Sequence, residues 1–99
     1  MPKPAADPID ATIVASFLEE HAELAHLRVR KRGDLLILES GPRGDPIPHA
    51  RLRRVTKQCW TPELPSHMGV WSPLPVRLPI RNVLDLLRTD FAWVLTPQE

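Results

Sequence analysis

The chain carries one cysteine and four histidines, so the sharpest chemistry open to it is a thiolate nucleophile served by an imidazole base. Cys59 with His49 or His67 is the pairing of those types on offer. Nucleophilic catalysis needs thiol, base and oxyanion donors to converge on one point. Cys59 stands beside Trp60 in a strand-like stretch, where a thiol reads as buried and inert. No catalytic residue is assigned, and the chain is read as non-enzymatic. Metal chemistry fares no better. Cys59, His49 and His67 lack Cys-x-x-Cys or His-x-x-x-His spacing, and His21 and His26, five apart, lie roughly 140° apart around a helix. Gly41 and Gly44 sit among prolines rather than ahead of a helix, so no phosphate cradle is expected. No metal or cofactor is assigned. Glu19 and Glu23 form an i,i+4 carboxylate pair that reads as a solvated helix face.

The residues that do cluster are arginines. Within Leu27–Ser40, Gly33-Asp34 makes a two-residue loop between Arg32 and Leu35. Glycine in the first loop position suits a type II′ turn, which needs positive φ there. That turn sets Lys31 opposite Leu36, Arg30 opposite Ile37, Val29 opposite Leu38, and Arg28 opposite Glu39. Side chains alternate between the faces of a strand. Leu27, Val29, Leu36 and Leu38 therefore face a core, with Lys31 near the tip. Arg28, Arg30, Arg32, Leu35, Ile37 and Glu39 share the other face.

Three arginines on one strand face repel each other unless an anion answers them, and Arg28 opposite Glu39 answers only one. Two readings stay open. Arginine stems lie over Leu35 and Ile37 with their heads in water; or the face docks a partner, since arginine beside apolar anchors is the composition interfaces favour. Arg51, Arg53 and Arg54, in the strand-like Ala50–Val55, extend the basic patch.

Charge is concentrated accordingly. The net charge is +1, yet residues 27–57 hold nine basic and three acidic residues, whereas residues 1–26 set Lys3 against five acids. Ten of the 13 basic residues are arginine, the side chain suited to bidentate contacts. No apolar run approaches the ~20 residues of a membrane span, and the start has no secretory pattern. A single cysteine excludes an internal disulfide and fits a reducing, cytoplasmic setting.

The elements that must position these groups follow from punctuation and periodicity. Residues 1–6 read as a loose Pro-rich tail, and residues 7–97 as a single domain. Asp7 at the N-cap, Pro8 at N1 and Asp10 in the first turn open a helix. Its stripe of Ile9, Ile13, Val14, Phe17, Leu18 and Leu24 runs to about His26, and its outer acids Glu19, Glu20 and Glu23 could reach back to cover the arginines. Gly41–Pro48 is a loop; its Arg43-Gly44-Asp45 is read as chance. Leu52 and Val55 break strict alternation, predicting a bulge or a short strand, and Cys59–Leu64 continues the sheet. Pro62–Pro79, with five prolines, can be neither helix nor central strand. It reads as an extended crossing over the sheet, pinned by Trp60 and Trp71, and Pro62-Glu63-Leu64-Pro65 is read as part of that packed crossing rather than a ligand motif. Pro79 at N1 opens a second helix with Ile80, Val83, Leu84, Leu87 and Phe91 on one face, and Trp93 joins the core.

The expected fold is thus α+β: an N-terminal helix, an antiparallel meander of three to four strands, a Pro-rich crossing and a C-terminal helix. That order resembles the double-stranded-RNA-binding domain, and Gly41-Pro42 with His49 resembles that family's loop. The spacing between them is too long and the second helix has no lysine cluster, so the chain is not placed there. The functional expectation is an accessory binding module. Arg28, Arg30 and Arg32 supply charge, Arg51, Arg53 and Arg54 extend it, and Leu35 and Ile37 anchor an acidic protein surface or a second copy of the chain. The alternative partner is DNA or RNA, held by the same arginines with tryptophan stacking; no membrane partner is expected.

Overall fold

Asp7 begins the first helix. Its backbone N–H donates to Asp10 Oδ2 at 3.0 Å, and Pro8 follows where no N–H is needed. The computed structural model describes residues 5–66 and 69–96. It contains helix α1 (Pro8–Glu20), strands β1 (Arg28–Arg32), β2 (Leu35–Ser40), β3 (Ile47–Arg54), β4 (Trp60–Pro65) and β5 (Trp71–Pro73), and helix α2 (Ile80–Thr89). Short 3-10 turns occupy Ala22–Leu24 and Ala92–Leu95. The five strands pair in sequence order, β1-β2-β3-β4-β5, each antiparallel to the next. The α+β order is the expected one, with one strand more.

The hairpin register matches the turn argument pair for pair, from Arg28↔Glu39 to Arg32↔Leu35. Gly33 takes φ of 60°, and no non-glycine residue among those described has positive φ. One sheet face carries Leu36, Leu38, Ala50, Leu52, Trp60 and Leu64. These form a single core with Val14, Phe17 and Leu18 of α1 and Val83, Leu84 and Leu87 of α2. Both helices pack on this face. The opposite face has no helix on it among the described residues.

Several expectations need correction. Helix α1 stops at Glu20, because His21 is extended and its Nδ1 takes up the Phe17 carbonyl at 2.9 Å; Ile9 is left exposed. Of the tail, Met1–Pro4 falls outside the described residues. Ala6 is buried, and its N–H donates to Gly33 O at 2.9 Å. The Pro-rich stretch does not cross the sheet. It stays in the plane of the sheet: Pro62 and Pro65 stand in β4, an interior strand, against expectation, and the chain returns along the edge as β5 and then through Leu78, which exchanges backbone hydrogen bonds with Trp60. Pro73 is tolerated in β5 because an edge strand has one unpaired side. His67 and Met68 of that stretch lie outside the described residues. Pro79 is the N-cap of α2 rather than its first residue.

The bulge lies elsewhere than expected, where Leu38↔Ala50 gives way to Glu39↔Pro48 and leaves His49 as the extra residue. A bulge re-aims its side chain. His49 turns into the core, with Nδ1 3.0 Å from Val94 O and Nε2 2.7 Å from Ser40 Oγ. With Nδ1–H donating to the carbonyl, the Ser40 hydroxyl donates to Nε2. His26 Nε2 meets the next carbonyl, Leu95 O, at 2.7 Å. Two histidines thus fix the C-terminal 3-10 turn with Val94 and Leu95 inward, and Trp93, expected in the core, is 65% exposed.

Candidate functional site

The helix-free face is an arginine–carboxylate lattice laid out by strand register. One row across the sheet reads Arg28, Glu39, Pro48. The next reads Arg30, Ile37, Arg51, Glu63, Pro73, and the third Arg32, Leu35, Arg53, Thr61. Glu39 is 2% exposed and Glu63 6%. Each lies between two guanidiniums, one directly opposite and one diagonal, the two cross-strand positions within reach. Arg30 Nε donates to Glu39 Oε1 at 2.5 Å and Arg28 Nη2 to Oε2 at 3.4 Å. Arg51 Nε donates to Glu63 Oε1 at 2.5 Å, and Arg53 Nε to Oε2 at 2.8 Å. Arg53 Nη1 continues to Asp34 Oδ2 at 3.1 Å.

These bonds set the protonation states. Burial pulls the Glu63 carboxyl upward, but hydrogen bonds from Arg53 and Arg51, with their charges, outweigh it and hold the group below the ordinary carboxylate value. The Glu63 hydrogen bond in turn raises the Arg53 guanidinium. Ile37, flanked by Arg30 and Arg51, is 7% exposed. Arginines on both neighbouring strands can shelter such a side chain with their stems, and of the two expected anchors only Leu35 remains partly exposed. Arg51 also stacks its guanidinium 4.4 Å over the Trp71 ring, a cation–π contact at the sheet's far edge.

The acids of α1 and of the turn after it do not reach this face: Glu19 and Glu20 are exposed and enter no ion pair among the described residues, and Glu23 pairs with Arg88 at 3.0 Å. Glu63 does what they were expected to do, and sequence reasoning missed it. The signal was present in β4, where Trp60, Pro62 and Leu64 alternate with Thr61 and Glu63. The Pro-rich stretch borders the face at its β4–β5 end, where Trp71 lies over Arg51 and the Val76 carbonyl accepts from the Thr61 hydroxyl at 2.9 Å.

The expected patch splits. Arg28, Arg30, Arg32, Arg51 and Arg53 share the open face, but Arg54, two residues on from Leu52, belongs to the core side. Only 7% exposed, it donates to Ala5 O, Thr56 O, Lys57 O and Asp7 Oδ2 and lies 5.7 Å over Trp60. There it pins the chain start to the sheet. Trp60 is buried and offers no stacking surface.

The nucleophile pairing does not form among the described residues. Both ring nitrogens of His49 are committed to Ser40 and Val94; Cys59 is half-buried ahead of β4, and His67 falls outside the described residues. Burial pushes the His49 imidazole below its ordinary value; the Val94 carbonyl pulls the other way, and His26 adds to the depression. Among the described residues no three His, Cys, Asp or Glu side chains gather as metal ligands, and no helix is long and apolar enough to cross a membrane. The chain matches no protein-family model, no curated protein and no solved structure.

Proposed function

We propose that the protein is a non-enzymatic docking module whose open sheet face receives an acidic surface of another protein. One observation carries the reading: the four guanidiniums of Arg28, Arg30, Arg51 and Arg53 are held in a fixed array, on a face with no helix among the described residues, by carboxylates buried beneath them. Arg30 and Arg51 bond those carboxylates through Nε alone, which leaves their Nη groups for a partner. Arginines held this way lose little further freedom on binding, and their planar forks match carboxylates.

Charge selects among partners. Five arginines against Glu39, Glu63 and Asp34 leave the face about two positive charges. Two copies meeting face to face would oppose like charge, which disfavours a two-fold dimer through this surface. For nucleic acid the balance is thin, because affinity there rests on unspent phosphate contacts, while Trp60 is buried and the Trp71 ring already faces Arg51. Five strands at ~4.8 Å spacing make the face roughly 20 Å across, which suits a transient encounter better than a permanent complex.

Binding of a fluorescent Glu-rich peptide and of a duplex DNA, each against wild type, Arg32→Glu and Leu35→Asp, tests the reading. Arg32 enters no ion pair among the described residues, so its variant changes the face and not the fold. The reading expects the peptide to bind wild type more tightly than DNA does and both variants to weaken it. DNA binding tighter than the peptide, with a log–log salt slope near −0.9 per phosphate, would assign the face to nucleic acid instead.

A further inference from the structure

The outer edge of β1 supports a second, separate mode of recognition. Strand β1 ends the sheet order, and among the described residues no further strand pairs with it. In an antiparallel ladder, residues alternate between pointing their backbone groups at the neighbour and away from it. Arg32↔Leu35 closes the two-residue loop as a hydrogen-bonded pair. Arg30 and Arg28 therefore also bond β2, while the N–H and C=O of Val29 and Lys31 point outward. The tip beyond is already used, because Gly33 O accepts from Ala6 N at 2.9 Å.

Open clefts flank this edge on both sides of the sheet plane. On the helix side, a cleft of about 440 Å³ lies among Ala15, Leu18, Ala25, Leu27 and Val29, with Glu19 also in its lining. On the open side, one of about 290 Å³ lies among Arg28, Arg30, Arg43 and Pro46, over Glu39. The two share Arg28 and Val29. An incoming strand sends alternate side chains to the two faces of the sheet. Here alternate positions would meet an apolar wall and an arginine cluster.

We propose that the β1 edge accepts an extended segment of a partner protein with alternating apolar and acidic residues, added as a sixth strand. Apolar side chains enter the Ala15–Leu18–Val29 cleft. Carboxylates meet Arg30 and Arg43, of which Arg43 enters no ion pair among the described residues. Strand addition supplies affinity through main-chain bonds and specificity through alternate pockets. A second copy of β1 is excluded as occupant by charge, since Arg28, Arg30, Lys31 and Arg32 would face the same four; basic edges guard against such self-pairing. The proposal goes beyond the face-docking reading and shares with it only Arg28 and Arg30.

The probe is a labelled peptide alternating glutamate with leucine and valine, compared with a peptide of the same composition in two blocks. Anisotropy should show saturable binding of the alternating peptide at least about tenfold tighter than of the block peptide, a difference of about 1.4 kcal/mol. Amide exchange should slow at Val29 and Lys31 on binding and stay unchanged at Arg30, whose N–H already bonds β2. Lys31→Pro removes one outward N–H at an edge position where proline is tolerated, and should cost the alternating peptide most of its affinity. Arg81→Gln, exposed on α2 and away from both the edge and the open face, should not. Equal binding of the two peptides, or exchange unaltered at Val29 and Lys31, overturns the proposal. Loss of binding in Arg53→Gln with Lys31→Pro unaffected would return the peptide to the open face and also overturn it.

Discussion

Taking a carboxylate out of water costs several kcal/mol unless charge and hydrogen bonds replace the solvent, and Glu39 and Glu63 each meet that cost with two arginines. For Glu63 the consequence can be followed with pH. Its folded pKa lies below the ordinary 4.5, so the unfolded chain binds the proton more readily. The stabilisation is complete above that value and is lost as pH falls through the folded pKa. His49 is a depressed base, with its folded pKa below the ordinary 6.5; it too contributes fully above its unfolded value and less as pH falls beneath it. Urea midpoints between pH 7.5 and 3 should therefore decline in two stages, first below about 6.5 and again below about 4.5. Glu63→Gln should flatten the lower stage and leave the upper one. A lower stage of unchanged depth in that variant would remove Glu63 as its source. Arg54 makes a sharper contrast with its neighbour in sequence. Arg54→Ala strips a buried guanidinium from Asp7 and three carbonyls and should cost about 3 kcal/mol. Arg32→Ala, exposed and without an ion pair among the described residues, should stay within about 0.5 kcal/mol. Similar losses for both would mean that Arg54 is not the strut the geometry describes.

At the scale of elements, the register of the hairpin depends on the two-residue turn that Gly33 opens. Its φ is 60° and a Cβ there would touch nothing within 4 Å, so Gly33→Ala should cost only the backbone strain, about 1–2 kcal/mol, with the core intact by near-ultraviolet spectroscopy. This element was legible in the sequence because a two-residue loop fixes register without help from the rest of the chain. The next turns were not. Residues Val55–Cys59 between β3 and β4 set no register by type alone, and so Glu63 could not be placed opposite Arg51 until the strands were aligned. Arg54 was misplaced for a related reason: it was grouped with Arg51 and Arg53 by composition, although it lies an odd number of residues from both and alternation sends it to the helix side. Trp93 was missed because two histidine bonds to successive carbonyls, one from a bulge residue, decide which way a 3-10 turn faces. No local pattern announces that. The extra strand hid among prolines; an edge strand tolerates them, and Pro62 and Pro65 stand even in the interior strand β4.

For the whole molecule, both helices lie on one side of a five-stranded sheet, and five arginines of the basic block, Arg28, Arg30, Arg32, Arg51 and Arg53, lie on the other. The charge asymmetry along the chain was a fair guide to this division, but it overstated the free charge, since buried acids neutralise part of it. That partial neutralisation predicts a moderate salt response: acidic-peptide binding should weaken between 50 and 200 mM salt, yet by far less than the 10³–10⁵ of a protein gripping six to ten phosphates. A loss of that larger size would argue for nucleic acid. The most direct test is a titration of isotope-labelled protein with a Glu-rich peptide, following the Nε–H resonances of the arginines and the Trp71 indole. The account predicts shifts at Arg30, Arg32, Arg51, Arg53 and Trp71, with Arg54, Arg81 and Arg88 unmoved. Shifts confined to Arg81 and Arg88, or none at saturating peptide, would contradict it.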